Sequence, residues 1–592
     1  MNINDSDCKI LHSNSRIWEI KTTQDELCLK FCKELDISER LATILINRGI
    51  NDLDQAGRFL DPSLHNLPDP YLLLGMEKAV ERLTLAFRRK EKIAVFGDYD
   101  MDGISATAIL VDYLRRAGFK QVDFSIPSRL SEGYGLNKQA LAHAGKSGVT
   151  LALTVDNGIS NIEEITAAKD LGIDVIVTDH HQIPEELPQA FAIINPHLPE
   201  CNYPDKNLAG VGVAFNLMMA LRKRLRESGL ASDVNLLQYL DLVALGTVAD
   251  VMPLTGVNRI FVSFGVKEIN KTRRLGMLYL LSAAGIKRDE PISARDLAFK
   301  LAPRVNAVGR VSDAKIAVEL FLTKDKAIAL RNSQTLEECN ERRRQIEKDI
   351  KNEVDEMLKS DASLAAAKVI LLASENWHPG VVGIVSSRVA EAHDKPAILI
   401  AVDNGVGRGS GRSVPGLNLV AVLDQCQEHL IRYGGHEQAV GLTVAEGSIT
   451  SLRQEIDNYL TNIAPTQTET PRLLLDGTLR PSEINRKLLN ELQVLNPLGY
   501  GNPEPMFLLE TTEVAKVTSM GSSDRRHLKF TFTDSKDRSK RFAGIYFNFK
   551  GTPPKNGETL DLVCTPEENI WRGRSEIRAN LTDLRISDGE KT

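Results

Sequence analysis

The chain has 592 residues, 42% hydrophobic and 26% charged, so it is long enough for several domains, each with its own core. Its formal net charge of −6 excludes a globally basic nucleic-acid binder and leaves any anionic substrate to local arginines and metal ions. Seven cysteines without a CxxC pair suggest reduced thiols in a cytosol, and neither a signal peptide nor an apolar run long enough to span a membrane is seen.

Residues 1–88 read as mostly helical, with two short helices between Ile37 and Phe59 and an irregular connection around Pro62, Pro68 and Pro70. From residue 90 to about 200, strand and helix alternate, as in an open, doubly wound α/β sheet. The apolar run Ile93–Phe96 ends in Gly97-Asp98-Tyr99-Asp100-Met101-Asp102-Gly103. Three acids on one loop repel each other unless a cation sits among them, and oxygen ligands suit a hard divalent ion. Taken alone, such a loop is as readily a solvated acidic turn. An EF-hand is excluded, because its twelfth position is Ile109 rather than Glu. No Gly-Xaa-Gly-Xaa-Xaa-Gly follows the strand, which argues against a dinucleotide site.

Two further apolar runs end in the same manner, one in Asp156-Asn157-Gly158 and one in Thr178-Asp179-His180-His181. A lone acid after a strand is more often a helix cap. Three such groups at equivalent positions aim carboxylates and imidazoles into the crevice outside the strand ends, which reads as a metal site. Asp250 lies in an otherwise apolar run, where an unpaired charge would be costly and a metal would hold it.

Arg304, Asn306 and Arg310 in the 297–310 stretch suit phosphate oxygens, and so does the 127–135 segment with Arg129 and Tyr134. Surface salt bridges are the plainer alternative for these arginines. Residues 335–360 form a long, heavily charged helix candidate. Strand–helix alternation returns over 368–460, with a glycine-rich stretch, Gly407 to Ser413. Its glycines would let backbone N–H groups approach an anion, but it lacks the Lys-Ser/Thr of a P-loop. Residues 464–471 read as a linker. Beyond them, short strands carry Phe530, Phe532, Phe542, Tyr546, Phe547, Phe549 and Trp571 among Arg525, Arg526, Lys529, Lys540, Arg541, Arg572 and Arg574. That suits an OB-fold stacking bases on aromatics, although any single aromatic is more often barrel core.

Asp98-Tyr-Asp100-Xaa-Asp102-Gly103, Val155-Asp156-Asn157-Gly158, Asp179-His180-His181 and Gly246-Thr-Val-Ala-Asp250 resemble, in order, the four motifs of the DHH phosphoesterase superfamily. Trp377-His378-Pro379-Gly380-Val381-Val382-Gly383-Ile384 and Gly434-Gly435-His436-Xaa-Xaa-Ala439-Xaa-Gly441 resemble its DHH-associated domain. From about residue 85 onward the chain looks like the superfamily's bacterial single-strand-specific 5′→3′ DNA exonucleases. The pyrophosphatase branch carries a His where this chain has Phe96.

The resemblance implies two Mn²⁺ or Mg²⁺ ions. Asp100 and Asp102 would each hold a different ion, with Asp98 assisting. Asp156 would bridge them, and His180 and Asp250 would complete the second site. His181 would sit near the scissile phosphate, with Asp179 orienting the histidines. Ser410 and Arg412 would lie near the terminal phosphate, and Gly435 and His436 near the substrate. The implied organisation is a helical cap (1–88), a doubly wound DHH domain (89–330), a connecting helix (331–362), a smaller α/β DHH-associated domain (363–463) and a C-terminal all-β OB-fold (471–588). The implied activity is hydrolysis of single-stranded DNA to 5′-mononucleotides in recombination and repair. A single-strand-binding protein and a RecQ-type helicase would be partners, in the cytoplasm and away from any membrane. The alternatives are an enzyme for short oligonucleotides or cyclic dinucleotides and a non-catalytic DNA-binding scaffold.

Overall fold

The computed structural model describes residues 8–12, 16–21, 25–129, 132–133, 135–230, 233–462, 471–521, 526–534, 541–571 and 574–587. They fall into two compact units, one drawn from 1–67, 253–263 and 469–592, the other from 68–252 and 264–468. Among the described residues, no helix is long and apolar enough to cross a membrane.

The expectation of a separate helical cap over 1–88 is corrected in two ways. The chain opens with an antiparallel strand pair, β1 (Cys8–His12) and β2 (Ile17–Lys21). Its last helix, Met76–Arg89, belongs with the short turn Pro70–Leu72 to the second unit, where it packs on the helix Gly210–Glu227. The earlier helices Asp25–Leu35, Glu39–Asn47 and Leu53–Leu60 bury Phe31, Ile44, Leu45 and Phe59 in one core with Leu488, Leu492 and Leu495. Amphipathic spacing shows that such helices need a partner surface, not which surface it is.

In the second unit, β3 (Lys92–Phe96), β4 (Gln121–Ser125), β5 (Val149–Val155), β6 (Asp174–Thr178) and β7 (Ala192–Ile194) form a parallel sheet in the order β4-β3-β5-β6-β7. Its strands read as continuous apolar runs because both faces are covered. Ala94 and Phe96 face the helices Lys138–Lys146 and Ile162–Asp170 through Leu141, Ala144, Ile165 and Ala168. The helices Met101–Ala117 and Gly210–Glu227, buried over most of their length, pack against each other and against the sheet.

The long helix runs over Lys326–Ser360, starting earlier than expected because Asp325 caps it by accepting from the Ala327 and Ile328 N–H groups. It leads into β8 (Ile370–Ser374), β9 (Ala397–Asp403), β10 (Val406–Arg412), β11 (Leu430–His436) and β12 (Ala439–Ala445), in the order β11-β12-β10-β9-β8. Here the reading of Gly407 to Ser413 as an anion-binding loop is corrected. Residues 406–412 form a central strand, laddered on both sides to β9 and β12. Its glycines serve packing, since a Cβ on Gly407, Gly409 or Gly411 would lie 2.6–2.8 Å from Ile400, Leu442 or Val440.

In the first unit, β13 (Arg472–Leu475) pairs in parallel with β2, and the buried Trp18 donates Nε1–H to Asp583 Oδ2 at 2.8 Å. The strands β14 (Phe507–Met520), β15 (His527–Thr533), β16 (Arg541–Tyr546), β17 (Thr559–Trp571) and β18 (Arg574–Ile586) close into a barrel ordered β14-β15-β16-β18-β17. Phe530 and Phe532 stack 4.9 Å apart in its core, whereas Phe547 is 44% exposed. Arg525, Lys540 and Arg572, and the side chains of Trp571 and Arg574, lie outside the described residues. Residues 253–263 join this unit through the fully buried Arg259, which donates to the carbonyls of Phe59, Val494 and Leu495 at 2.8–3.0 Å.

Candidate active site

The carboxylates arrive at the carboxyl ends of three adjacent parallel strands. Asp98, Asp100 and Asp102 follow β3, Asp156 follows β5, and Asp179, His180 and His181 follow β6. Asp250 ends the helix Leu240–Ala249 as its C-cap. Ligand atoms of Asp98, Asp100 and Asp156 all lie within 4.8 Å of one another, as do those of Asp102, His180 and Asp250. His180 Nε2 is 3.1 Å from Asp156 Oδ1, 3.6 Å from Asp250 Oδ2 and 3.9 Å from Asp102 Oδ2, so Asp156 adjoins both groups.

The backbone around these ligands explains how they are held. One Asp100 oxygen caps the helix Met101–Ala117, accepting from Asp102 and Gly103 N–H at 2.9 and 3.1 Å. Asp102 in turn accepts from Gly210 and Val211 N–H at 2.6 and 2.9 Å, at the positive end of the helix Gly210–Glu227. Asp156 adopts φ +60°, a left-handed conformation that costs a non-glycine residue about 1–2 kcal/mol. Gly210 lets it approach, since a Cβ there would lie 2.6 Å from the Asp156 Cβ. Asn306 Oδ1 accepts the Met101 N–H at 2.7 Å, so this candidate phosphate ligand steadies the acidic loop.

The electrostatics suit a cation-binding site. Burial first, and then the neighbouring carboxylates, push Asp98 and Asp156 well above the ordinary carboxylate range. The same causes raise Asp102 to about 7 and Asp250 to about 9. Among the described residues, no Lys or Arg forms an ion pair with Asp98, Asp100, Asp102 or Asp250. Asp98 Oδ1, His180 Nε2 and Asp250 Oδ2 are buried without a hydrogen-bond partner. Unsatisfied oxygens and one imidazole nitrogen in a negatively charged site fit hard divalent ions.

The two histidines are driven apart. Burial, then His181, lowers His180 to about 4, leaving a neutral imidazole suited to a metal. Burial would lower His181 as well, but its 2.7 Å bond from Nδ1 to Asp179 Oδ1, together with the charges of Asp179, Asp250 and Asp102, outweighs that and raises it to about 9. Asp179 also accepts from the His180 and His181 N–H groups and from Ile159 N–H.

Arginines gather beside the acids. Arg129 lies over the Tyr99 ring at 5.1 Å, and Arg310 Nη1 donates to the Gly380 carbonyl at 3.0 Å. Arg412 reaches Ser410 Oγ at 3.2 Å and the Gly411 carbonyl at 2.8 Å. Burial, then Arg129, Arg343 and Arg412, lowers Arg310 to about 10, and burial followed by Arg129 lowers Arg412. Among the described residues, none of Arg129, Arg310 and Arg412 forms an ion pair with a carboxylate, although the charge of Arg129 is felt at Asp98. Mutually repelling guanidinium groups of this kind call for an anion.

Arg304 is different, and its assignment to phosphate is corrected. It is buried within the helix Ala302–Val311, paired with Glu337 on the long helix and bonded to the Lys300 carbonyl at 2.6 Å. Ser410 and Arg412 share the face of β10 opposite its glycines, and Gly383 leaves room for the Ser410 hydroxyl. Gly435 takes φ +142° on β11, where a Cβ would lie 2.3 Å from the Ala439 carbonyl oxygen, and His436 is exposed beside it. Tyr134 lies outside the described residues. The sequence assigns no role to Tyr99 or Gly309, yet Gly309 seats the Ala302–Val311 helix directly on the Tyr99 carbonyl.

Residues 92–247 match the DHH family, N-terminal domain, residues 361–462 the DHHA1 domain and residues 475–583 the RecJ OB domain. The single-stranded-DNA-specific exonuclease RecJ of Bacillus subtilis is 33% identical over 576 residues, covering 96% of this chain and 71% of its own length. The chain belongs to the RecJ family. A crystal structure of RecJ from Thermus thermophilus in complex with Mn²⁺ superposes with a TM-score of 0.81 at 30% identity, over 96% of this chain and 80% of that one. The Mg²⁺ complex of RecJ from the same organism gives a TM-score of 0.75 at 30% identity, over 96% of this chain and 78% of that one. The RecJ relationship thus spans both units of the chain, barrel included.

Proposed function

We propose that the chain is a metal-dependent exonuclease that degrades single-stranded DNA 5′→3′ to 5′-mononucleotides. One observation carries this reading. Asp98, Asp100, Asp102 and Asp250, none ion-paired to a Lys or Arg among the described residues, lie in one unit with the half-buried Arg129, Arg310 and Arg412, none ion-paired to a carboxylate, a combination that suits divalent cations and a phosphate. We assign Asp98, Asp100 and Asp156 to one Mn²⁺ or Mg²⁺ ion, and Asp102, His180 and Asp250 to a second, with Asp156 shared. When bound, two such ions activate water and stabilise charge on the attacking and leaving oxygens of an in-line displacement.

The chain's own residues do the rest. Asp179 holds His181 through Nδ1 and keeps it charged, and we assign Nε2–H of His181 to a phosphate oxygen near the scissile bond. Arg129 and Arg310 hold the strand's phosphates. Arg412 and Ser410, presented by the rigid strand β10, receive the terminal 5′-phosphate, with Gly435 and His436 beside it. Asn306 acts indirectly by holding the acidic loop. The OB barrel tracks the remainder of the strand. A single-strand-binding protein and a RecQ-type helicase are proposed partners, recombination and repair the proposed setting and the cytoplasm the proposed location.

Digestion of 5′-labelled long strands and dinucleotides, with Mn²⁺ and with chelator, tests the reading. Metal-dependent release of mononucleotides from the 5′ end of long strands is expected. Turnover confined to dinucleotides would make the chain a short-oligonucleotide phosphodiesterase instead.

A further inference from the structure

The Trp377-His378-Pro379-Gly380 turn precedes the helix Val382–His393 and carries a histidine bonded to its own loop. His378 Nδ1 accepts the Gly380 N–H at 3.1 Å. The carbonyl of His378 accepts from Val381 and Val382 N–H at 3.0 and 3.2 Å, tying the turn to the helix start. The carbonyl of Gly380 accepts Nη1–H of Arg310 at 3.0 Å. The approach is close, since a Cβ on Gly380 would lie 2.5 Å from the Arg310 carbonyl oxygen and 3.1 Å from His378 Cε1. On the preceding residue, Gly309 rests against the Tyr99 carbonyl, where a Cβ would lie 2.5 Å away. The segment bearing Arg310 is therefore held between the acidic loop and this turn.

An Nδ1 that accepts requires the proton on Nε2 and a neutral ring. Burial, followed by Arg342, lowers the His378 pKa and favours that form.

We propose that His378 is a positioning residue for the nuclease reaction: its Nδ1 fixes Gly380 by accepting the N–H of that residue, and the carbonyl of the same residue aims the Arg310 guanidinium at the substrate phosphate. This rests on the assignment of Arg310 to that phosphate. A half-buried arginine with no ion pair to a carboxylate has few restraints of its own, and one misdirected by an ångström loses its phosphate contact.

Amide side chains separate this role from simple packing. Asn places an oxygen where Nδ1 stands, whereas Gln places one nearer Nε2, beyond reach of the Gly380 N–H. The test is steady-state kinetics on a 5′-phosphorylated single-stranded oligonucleotide with Mn²⁺, on the full chain, with thermal melts to verify folding. His378→Ala is expected to raise KM about fivefold, the worth of one ordinary hydrogen bond, with kcat within about twofold. His378→Asn should restore KM, and His378→Gln should not. Arg310→Ala should raise KM about tenfold or more, and adding His378→Ala to it should change nothing further. If His378→Ala fails to fold, the Asn and Gln pair decides. Equal KM in those two variants, or additive losses in the double variant, would overturn the positioning role while leaving Arg310 on the phosphate. An unchanged KM in Arg310→Ala would overturn both assignments.

Discussion

Replacing Asp156 by Asn tests the shared ligand with little steric change, because Asn tolerates the left-handed φ of +60° that this position requires. Asp156 lies within 4.8 Å of Asp98 and Asp100, ligand atom to ligand atom. Two carboxylates at that distance repel by about 3 kcal/mol at an effective dielectric constant near 20. Proton uptake relieves most of this in the metal-free protein, so neutralising Asp156 should return about 1–2 kcal/mol and raise the melting temperature by a few degrees. The same change removes the carboxylate proposed to serve both ions. The stabilisation normally conferred by Mn²⁺, about 2.7 kcal/mol at a hundredfold excess over Kd, should largely vanish. Turnover should fall about a thousandfold or more, since several kcal/mol of transition-state stabilisation go with the ions. Melting curves with chelator and with Mn²⁺, together with single-strand digestion, read all three effects. A variant that kept both the Mn²⁺-dependent shift and turnover within tenfold of the parent would refute the shared-ligand assignment.

The raised carboxylates also set a pH dependence. Asp102 near 7, Asp250 near 9 and His181 near 9 all lie above their ordinary values, so the stability they contribute is present at low pH and lost as pH rises through these values. His180, lowered to about 4, acts oppositely but only below its ordinary value near 6.5, so the chelated protein should melt progressively lower between pH 6.5 and 9. Mn²⁺ should cancel most of that decline, and a melting temperature that climbs over this range would contradict the electrostatic account. Arg412→Ala should weaken kcat/KM by about 1.5–3 kcal/mol on 5′-phosphorylated strands and much less on 5′-hydroxyl strands, whereas equal losses would place end recognition elsewhere. Phe547, exposed and edge-to-face with His527 at 5.4 Å, should act as a stacking surface on the barrel. Phe547→Ala is expected to weaken binding of long strands by about 1–3 kcal/mol without affecting short ones, and unchanged affinity in a titration would exclude it. Truncation near residue 465 is a poorer test, because the helices of residues 25–60 share their core with Leu488, Leu492 and Leu495.

The acidic centre was legible in the sequence because its causes are local. An apolar run buried on both faces must end somewhere, and Asp98, Asp156 and Asp179 each stand directly past such an end. Parallel strands deliver their carboxyl ends to one edge, so topology alone brings the three separate motifs into one crevice. The barrel was similarly legible from short strands and clustered aromatics. What the tertiary structure alone decided concerns partners distant in sequence. Arg304 and Arg310 sit six residues apart and read alike, but only Arg304 meets a glutamate, on the long helix. The glycines of 407–411 suggest a loop, since glycine disfavours strands. Only the bulk of Ile400, Val440 and Leu442 across the sheet shows why a strand needs them there. Residues 1–67 announce their helices through periodicity, yet their destination depends on a complementary apolar surface more than 400 residues away. Local sequence thus determined which groups each element would present. Long-range pairing of backbone, charge and volume decided which of them were already satisfied within the chain, and so which remained for metal and phosphate.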